Sequence, residues 1–473
     1  MTKLVHPQVA IGALPDDVLL EVFGFCVDTY EENDDDGLHQ DRWVTLVHVC
    51  RRWRCVVFGS PRTLDLRLFC TPDRLVKRTL DIWPELPIVI CSFHRGPQLH
   101  GVTNIIMAAL KQRNRLCKIY IDGSPNSLLQ RFAAISTPFP ALTDLKLFST
   151  DEEIPILPDS FLRGSTPLLR HLGLHGIPSP SLPKLLSSVT SLVSLRLWDL
   201  PPSGYISPEA IVTSLSMLTR LKSLELGFRP PRSQPNQQGR LPPPLTRVVL
   251  PFLIEFWFTG DSEYLEDTLS RIDTPLLCEV HITFFNQPAF DTPSLRDFIS
   301  RTELFKAPHR AHLIFSRHHL TVMLFHQNGV ADHRTFQLGI SYHSLRWGCP
   351  TLVQMYNSCV PPFTTLEQLC IYEDRDSQIQ WPDYIQSAQW LNLFRSFTSV
   401  KDLELSKHFV VFIAPALGGL TGLQVTEVLP ALQIIFLDGI QPSDPTCVHD
   451  GIMAFVAARY CFGSHVGIQF QGR

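Results

Sequence analysis

Apolar residues recur along this chain in a short pattern, Leu-x-x-Leu-x-Leu or its equivalent with another apolar residue, set between longer mixed stretches. The pattern starts at Leu116, Leu142, Leu169, Leu192, Leu221, Leu253, Leu277, Leu366, Val400 and Leu432, at steps of 26, 27, 23, 29, 32, 24, 89, 34 and 32 residues. The step of 89 is close to three ordinary ones and holds two more strand-like stretches, 312–315 and 336–342, so about twelve units are expected. Within each pattern apolar and polar residues alternate, which predicts a short strand, because successive side chains on a strand face opposite ways.

Helix signals lie between the strands. Ser207-Pro208-Glu209 supplies a capping hydroxyl, a proline at the first helical position and an acid in the first turn. Ile211, Val212, Leu215 and Leu218 then fall on one helical face. Weaker segments of the same kind run over 183–189, 293–300, 383–397 and 448–459. Strand, turn and helix repeated at this interval predict parallel strands, since the chain returns by a crossover each time. Such a unit cannot cover its own apolar face, but stacked neighbours share one core, which makes an α/β solenoid.

Residues 14–57 keep a different rhythm. Leu14-Pro15-Asp16-Asp17 opens a helix with a proline and two acids suited to the positive end of its dipole. Val18 with Val22, and Leu19 with Phe23, share faces four residues apart. After an acidic stretch, 28–42, a second helix is expected over 43–57, with Trp43, Leu46, Val47 and Cys50 on one side and Val49, Trp53, Val56 and Val57 on an adjoining one. Two short helices with apolar residues on several faces cannot satisfy them all internally, so some of that surface must meet a neighbour. The bland alternative is a cap that shields the end of the repeat stack.

The repeats resemble leucine-rich repeats of the long, irregular kind. The opening module resembles an F-box through Leu14-Pro15, Asp17, Val18-Leu19 and the run Leu46-x-x-Val49-Cys50-Arg51-x-Trp53-Arg54. Leu64 to Leu66, residues 83–88 and 455–459 are similar to segments of fungal F-box proteins. The resemblance implies a short helical F-box over 1–60, with an acidic loop at 28–42, followed by an irregular leucine-rich-repeat solenoid over 61–473 with a proline-rich loop at 228–251. It further implies a substrate-recognition subunit of an SCF-type ubiquitin ligase: the box docks on a Skp-family adaptor and through it on a cullin, while the repeats bind a protein target. Carried over residue by residue, Leu14, Pro15, Val18, Leu19, Val22, Leu46, Val49, Cys50 and Trp53 are the expected adaptor contacts. The alternative is a leucine-rich-repeat scaffold outside any ligase. Target contacts are expected among side chains flanking the strand motifs, with Arg196, Trp198, Glu225, Glu367 and Glu404 as candidates.

Composition narrows the classes. With 41 Lys and Arg against 45 Asp and Glu, the net charge of −4 lacks the basic excess that nucleic-acid binding needs. The longest greasy stretch, 409–420, is interrupted by Pro415 and falls short of the roughly 20 residues a membrane span requires. The twelve cysteines contain no Cys-x-x-Cys, which predicts reduced, mostly buried thiols in a cytoplasmic or nuclear protein; Cys50 and Cys55, beside Arg51, Arg52 and Arg54, are expected to be packing residues. The histidines at 309, 312, 318, 319, 326 and 333 lack the His-Glu-x-x-His spacing of a zinc site, and no phosphate-binding loop or nucleophile elbow occurs, so neither cofactor nor enzyme activity is expected.

Overall fold

A computed structural model describes residues 11–27, 42–70, 85–92, 107–121, 138–149, 157, 161–162, 166–179, 181–230, 247–285, 287, 290–302, 305, 307–316, 319–325, 335–341, 354, 358–359, 365–374, 387–440 and 447–471. Most of the proline-rich stretch and nearly all of the acidic stretch lie outside these. The chain divides into two compact units, 1–192 and 193–473.

In the first unit, helices α1 (Asp16–Val27), α2 (Arg42–Val49) and α3 (Arg51–Gly59) precede a parallel sheet of β1 (Leu68–Cys70), β2 (Ile88–Ser92), β3 (Leu116–Ile121), β4 (Asp144–Phe148) and β5 (His171–His175). A short helix, α4 (Leu182–Leu186), follows. The helix expected over 43–57 is two. Cys50 takes an extended backbone (φ −157°, ψ 170°) and caps α3, its Sγ accepting from the Trp53 N–H at 3.4 Å. The tie between module and sheet is also specific: Trp43 Nε1 donates to Arg67 O at 2.9 Å, next to β1.

The second unit contains β6 (Ser194–Leu200), β7 (Ser223–Phe228), β9 (Glu255–Gly260), β11 (Glu279–Phe285), β12 (Arg310–Phe315), β13 (His319–Phe325), β14 (Thr335–Ser341), β15 (Gln368–Glu373), β16 (Asp402–Ser406), β17 (Ile434–Asp438) and β18 (Gly467–Gln471) in one sheet. A two-residue pair, β8 (Val248–Val249) and β10 (Ile272–Asp273), stands apart. Its helices are α5 (Pro208–Leu215), α6 (Ser262–Arg271), α7 (Pro293–Arg301), α8 (Ser387–Arg395), α9 (Lys407–Gly418), α10 (Gln424–Glu427) and α11 (Cys447–Cys461). The signal at Ser207 is realised: its Oγ accepts from the Ala210 N–H at 3.2 Å, and Ile211, Val212, Leu215 and Leu218 are buried.

All ten Leu-x-x-Leu-x-Leu patterns across the two units end in a strand, and their leucine positions are buried, for example Leu195, Leu197, Leu224, Leu226, Leu403 and Leu405. The expectation of parallel strands throughout fails in the 89-residue gap. The sheet order there is β11, β14, β13, β12, β15, with β13 antiparallel to both of its neighbours. The cause is the turn between β12 and β13: Ser316 N–H donates to His319 O at 2.8 Å and His319 N–H to Ser316 Oγ at 3.0 Å. A connection that tight leaves no length for a crossover and must make a hairpin.

Pro415 does not interrupt the greasy stretch either; it lies inside α9. The carbonyl it deprives of a donor belongs to Val411, which is 53% exposed and open to water. Within the described residues no helix is long and apolar enough to cross a membrane. Among the ten cysteines whose burial is described, Cys26, Cys50, Cys55 and Cys461 are exposed and only Cys70, Cys91, Cys359 and Cys370 buried, so Cys50 and Cys55 are not packing residues.

Candidate functional site

Two surfaces are candidates, one in each unit. The first is built by α1–α3. Leu19 and Phe23 of α1 are fully buried, and Phe23 packs on Trp53 at 4.7 Å between ring centroids. The opening Leu14-Pro15 is pinned by Arg52, whose guanidinium donates to Leu14 O at 2.5 Å and Asp16 Oδ1 at 2.6 Å. Of the nine expected adaptor contacts, Leu19 and Leu46 are buried within the chain. Leu14, Val22 and Trp53 are half-buried; Pro15, Val18, Val49 and Cys50 are exposed. Sequence reading missed Phe25, which is 79% exposed. Val18, Val22 and Phe25 are spaced i, i+4, i+7, so they form an apolar stripe on α1 turned well away from its buried face.

The second surface is the face of the second unit's sheet opposite the leucines. Strand register aligns one row across it: Arg196, Glu225, Trp257, His281, Gln337, Met323, His312, Cys370, Glu404, Phe436 and Gln469. Three of the five expected target contacts, Arg196, Glu225 and Glu404, fall in this row. Trp198 lies two residues along β6 and leans over Gly227, where a Cβ would come within 2.7 Å of its ring. Glu367 sits just before β15, 2.6 Å from Lys401 Nζ.

No protein-family model matches the chain. No curated protein matches it either. Among solved structures it is similar to the leucine-rich repeat-containing protein LegL7 from Legionella pneumophila, at 12% identity over 77% of this chain and 95% of that one, with a TM-score of 0.27.

The row divides into two polar neighbourhoods. Trp257 stacks on His281 at 4.0 Å and 17° between planes, with His281 Nε2 2.6 Å from Glu279 Oε1 and Nδ1 2.9 Å from Gln337 Oε1. Burial raises the Glu225 carboxyl above its ordinary range, an effect that Arg196, 3.6 Å away, partly opposes. Farther along, His312 Nδ1 lies 2.9 Å from the Tyr372 hydroxyl and its ring 4.5 Å from Phe325. Burial, and then the nearby Arg310, push its pKa down to about 4. Cys370 Sγ donates to Glu404 Oε2 at 3.3 Å, and burial together with that carboxylate pushes the thiol up to about 12.

This face offers recognition groups: an aromatic ring, carboxylates and imidazoles. Cys91 and Cys359 are likewise pushed up to about 12 by burial, and a thiol held protonated is a poor nucleophile. Among the described residues no group of three His, Cys, Asp or Glu could hold a metal ion. A cavity of about 260 Å³ under β17, β18 and α11 is lined entirely by apolar side chains, including Met453 and Phe470. It has none of the convergent polar groups that orient a small ligand.

Proposed function

We propose that the chain is a protein-binding repeat scaffold that serves as the target-recognition subunit of an SCF-type ubiquitin ligase, with residues 14–59 as the F-box. One observation carries the reading: Val18 and Phe25, with half-buried Val22 between them, present apolar surface that their own bundle leaves uncovered, on the helix that opens with the Leu14-Pro15 motif. Solvent-exposed apolar stripes of this kind mark contact with another protein. Pro15, Val49 and Cys50 add exposed positions from the same motif set. In this role the chain performs no chemistry. It holds a target beside a charged conjugating enzyme, and the rate gain comes from raised effective concentration.

The test is co-purification of a Skp-family adaptor and cullin with the full chain. Val18→Asp combined with Phe25→Asp is expected to lower adaptor capture by about tenfold or more while the thermal midpoint stays put, because neither side chain fills the core. Adaptor capture that survives both substitutions refutes the box assignment. Adaptor without cullin would place the chain in a scaffold outside any ligase.

A further inference from the structure

The face of β6, β7, β9 and β11 opposite the leucines carries a partly exposed tryptophan. Trp257 is 37% exposed, and His281 stacks on the β11 side of the indole, so its opposite face is turned toward β7. The register partner on β7 is Glu225. One step back on the same face, Glu255 and Glu279 are direct register partners, two carboxylates side by side on adjacent strands. Glu279 is already engaged by His281, whose Nε2 lies 2.6 Å from its Oε1, so the carboxylate on the β7 side of the indole is Glu225. Arg196 is the cation nearest Glu225, but at 3.6 Å and with its side chain 55% exposed it forms a loose pair of little worth.

We infer that Trp257, with Glu225 beside it on β7, receives an arginine side chain from the protein target. A planar guanidinium can lie on the free face of the indole and present its N–H fork to the Glu225 carboxylate at once, which a lysine ammonium cannot. Strands about 4.8 Å apart place that carboxylate within reach of a group seated on the ring. Trp198, leaning over Gly227 on the far side of Glu225, bounds the slot. The inference rests on the reading of this sheet face as the target-binding surface and names the chemistry of what it binds.

The experiment uses the full chain carrying fluorotryptophan, followed by fluorine NMR, with the Trp257 signal identified by its loss in Trp257→Phe. Titration with acetyl-Gly-Arg-Gly amide is expected to move that signal saturably. The citrulline peptide, uncharged but nearly the same shape, should leave it in place, and the lysine peptide should bind several-fold more weakly. Glu225→Gln should weaken the arginine response roughly tenfold without disturbing the other tryptophan signals. A citrulline response equal to arginine's, a lysine response as strong, or no movement at all overturns the inference. Adaptor capture by the same preparation separates the two readings: capture without an arginine response sinks this inference alone, whereas an arginine response without capture sinks the ligase role alone.

Discussion

Arg459 is 1% exposed, yet no carboxylate partners it among the described residues; its guanidinium donates instead to the carbonyls of Val425, Leu429 and Pro430 at 3.0–3.2 Å. Those acceptors close the turn after α10, where Leu429 has a positive φ of 50°. Arg459→Met is expected to cost about 3 kcal/mol or more, since it strands buried carbonyls; Lys, a single point donor, should recover only part. Denaturant midpoints of the three proteins decide this. His312 gives a pH signature. Its folded pKa, about 4, lies below the ordinary value of 6.5. The unfolded chain therefore binds the proton first, and stability falls as pH drops from about 6.5 toward 4. His312 is only half-buried, so screening limits the loss to about 1–2 kcal/mol. Wild type should lose that much more than His312→Gln between pH 7 and 4, measured by chemical denaturation. Alternation alone placed Arg196 and Glu225 on the open face. The same rule applied to Leu253 and Leu277 would have found Trp257 and His281, whose motifs read as apolar runs because tryptophan and histidine blur the polar positions.

At the scale of elements, helix contact is set by small residues that no periodicity reveals. A Cβ on Gly451 of α11 would lie 2.4 Å from the Ala414 carbonyl oxygen of α9, and one on Gly418 would lie 2.8 Å from Gly451 Cα. Gly451→Val is expected to force these helices apart at a cost of about 3 kcal/mol, because the opposing atoms are backbone and cannot turn aside. A lowered thermal midpoint, with Gly422→Ala as the uncrowded control for backbone strain at its φ of +60°, checks the prediction. The ten strands that carry the Leu-x-x-Leu-x-Leu pattern were legible, while the gap of 89 residues holds three strands where two were expected. Three features were not: the break at Cys50, since a valine-rich run gives no sign of an extended residue; α9, since Pro415 argues against a helix until the exposure of Val411 is known; and the direction of β13, since alternation is the same whichever way a strand runs.

For the whole molecule, the two surfaces belong to different compact units and share no residue. Combining the Val18 and Phe25 substitutions with Trp257→Ala should thus give additive effects: adaptor capture lost as in the first variant, arginine-peptide response lost as in the second, with coupling below about 0.5 kcal/mol. Titrations on all three proteins supply the test. The motif set of residues 14–54 was readable as a helical module. Which side of it faces out was not, because Leu19 and Val18 are equally apolar and only the packing of Phe23 on Trp53 separates them. One consequence of the reversed order β14, β13, β12 concerns parity. Two antiparallel steps between β11 and β15, β14 to β13 and β13 to β12, restore the original polarity, so parallel pairing resumes on the far side and only β13 runs the other way. An odd-numbered cassette can thus be spliced into a stack of this kind, and residues 310–341 mark a place where such an exchange leaves both flanks intact.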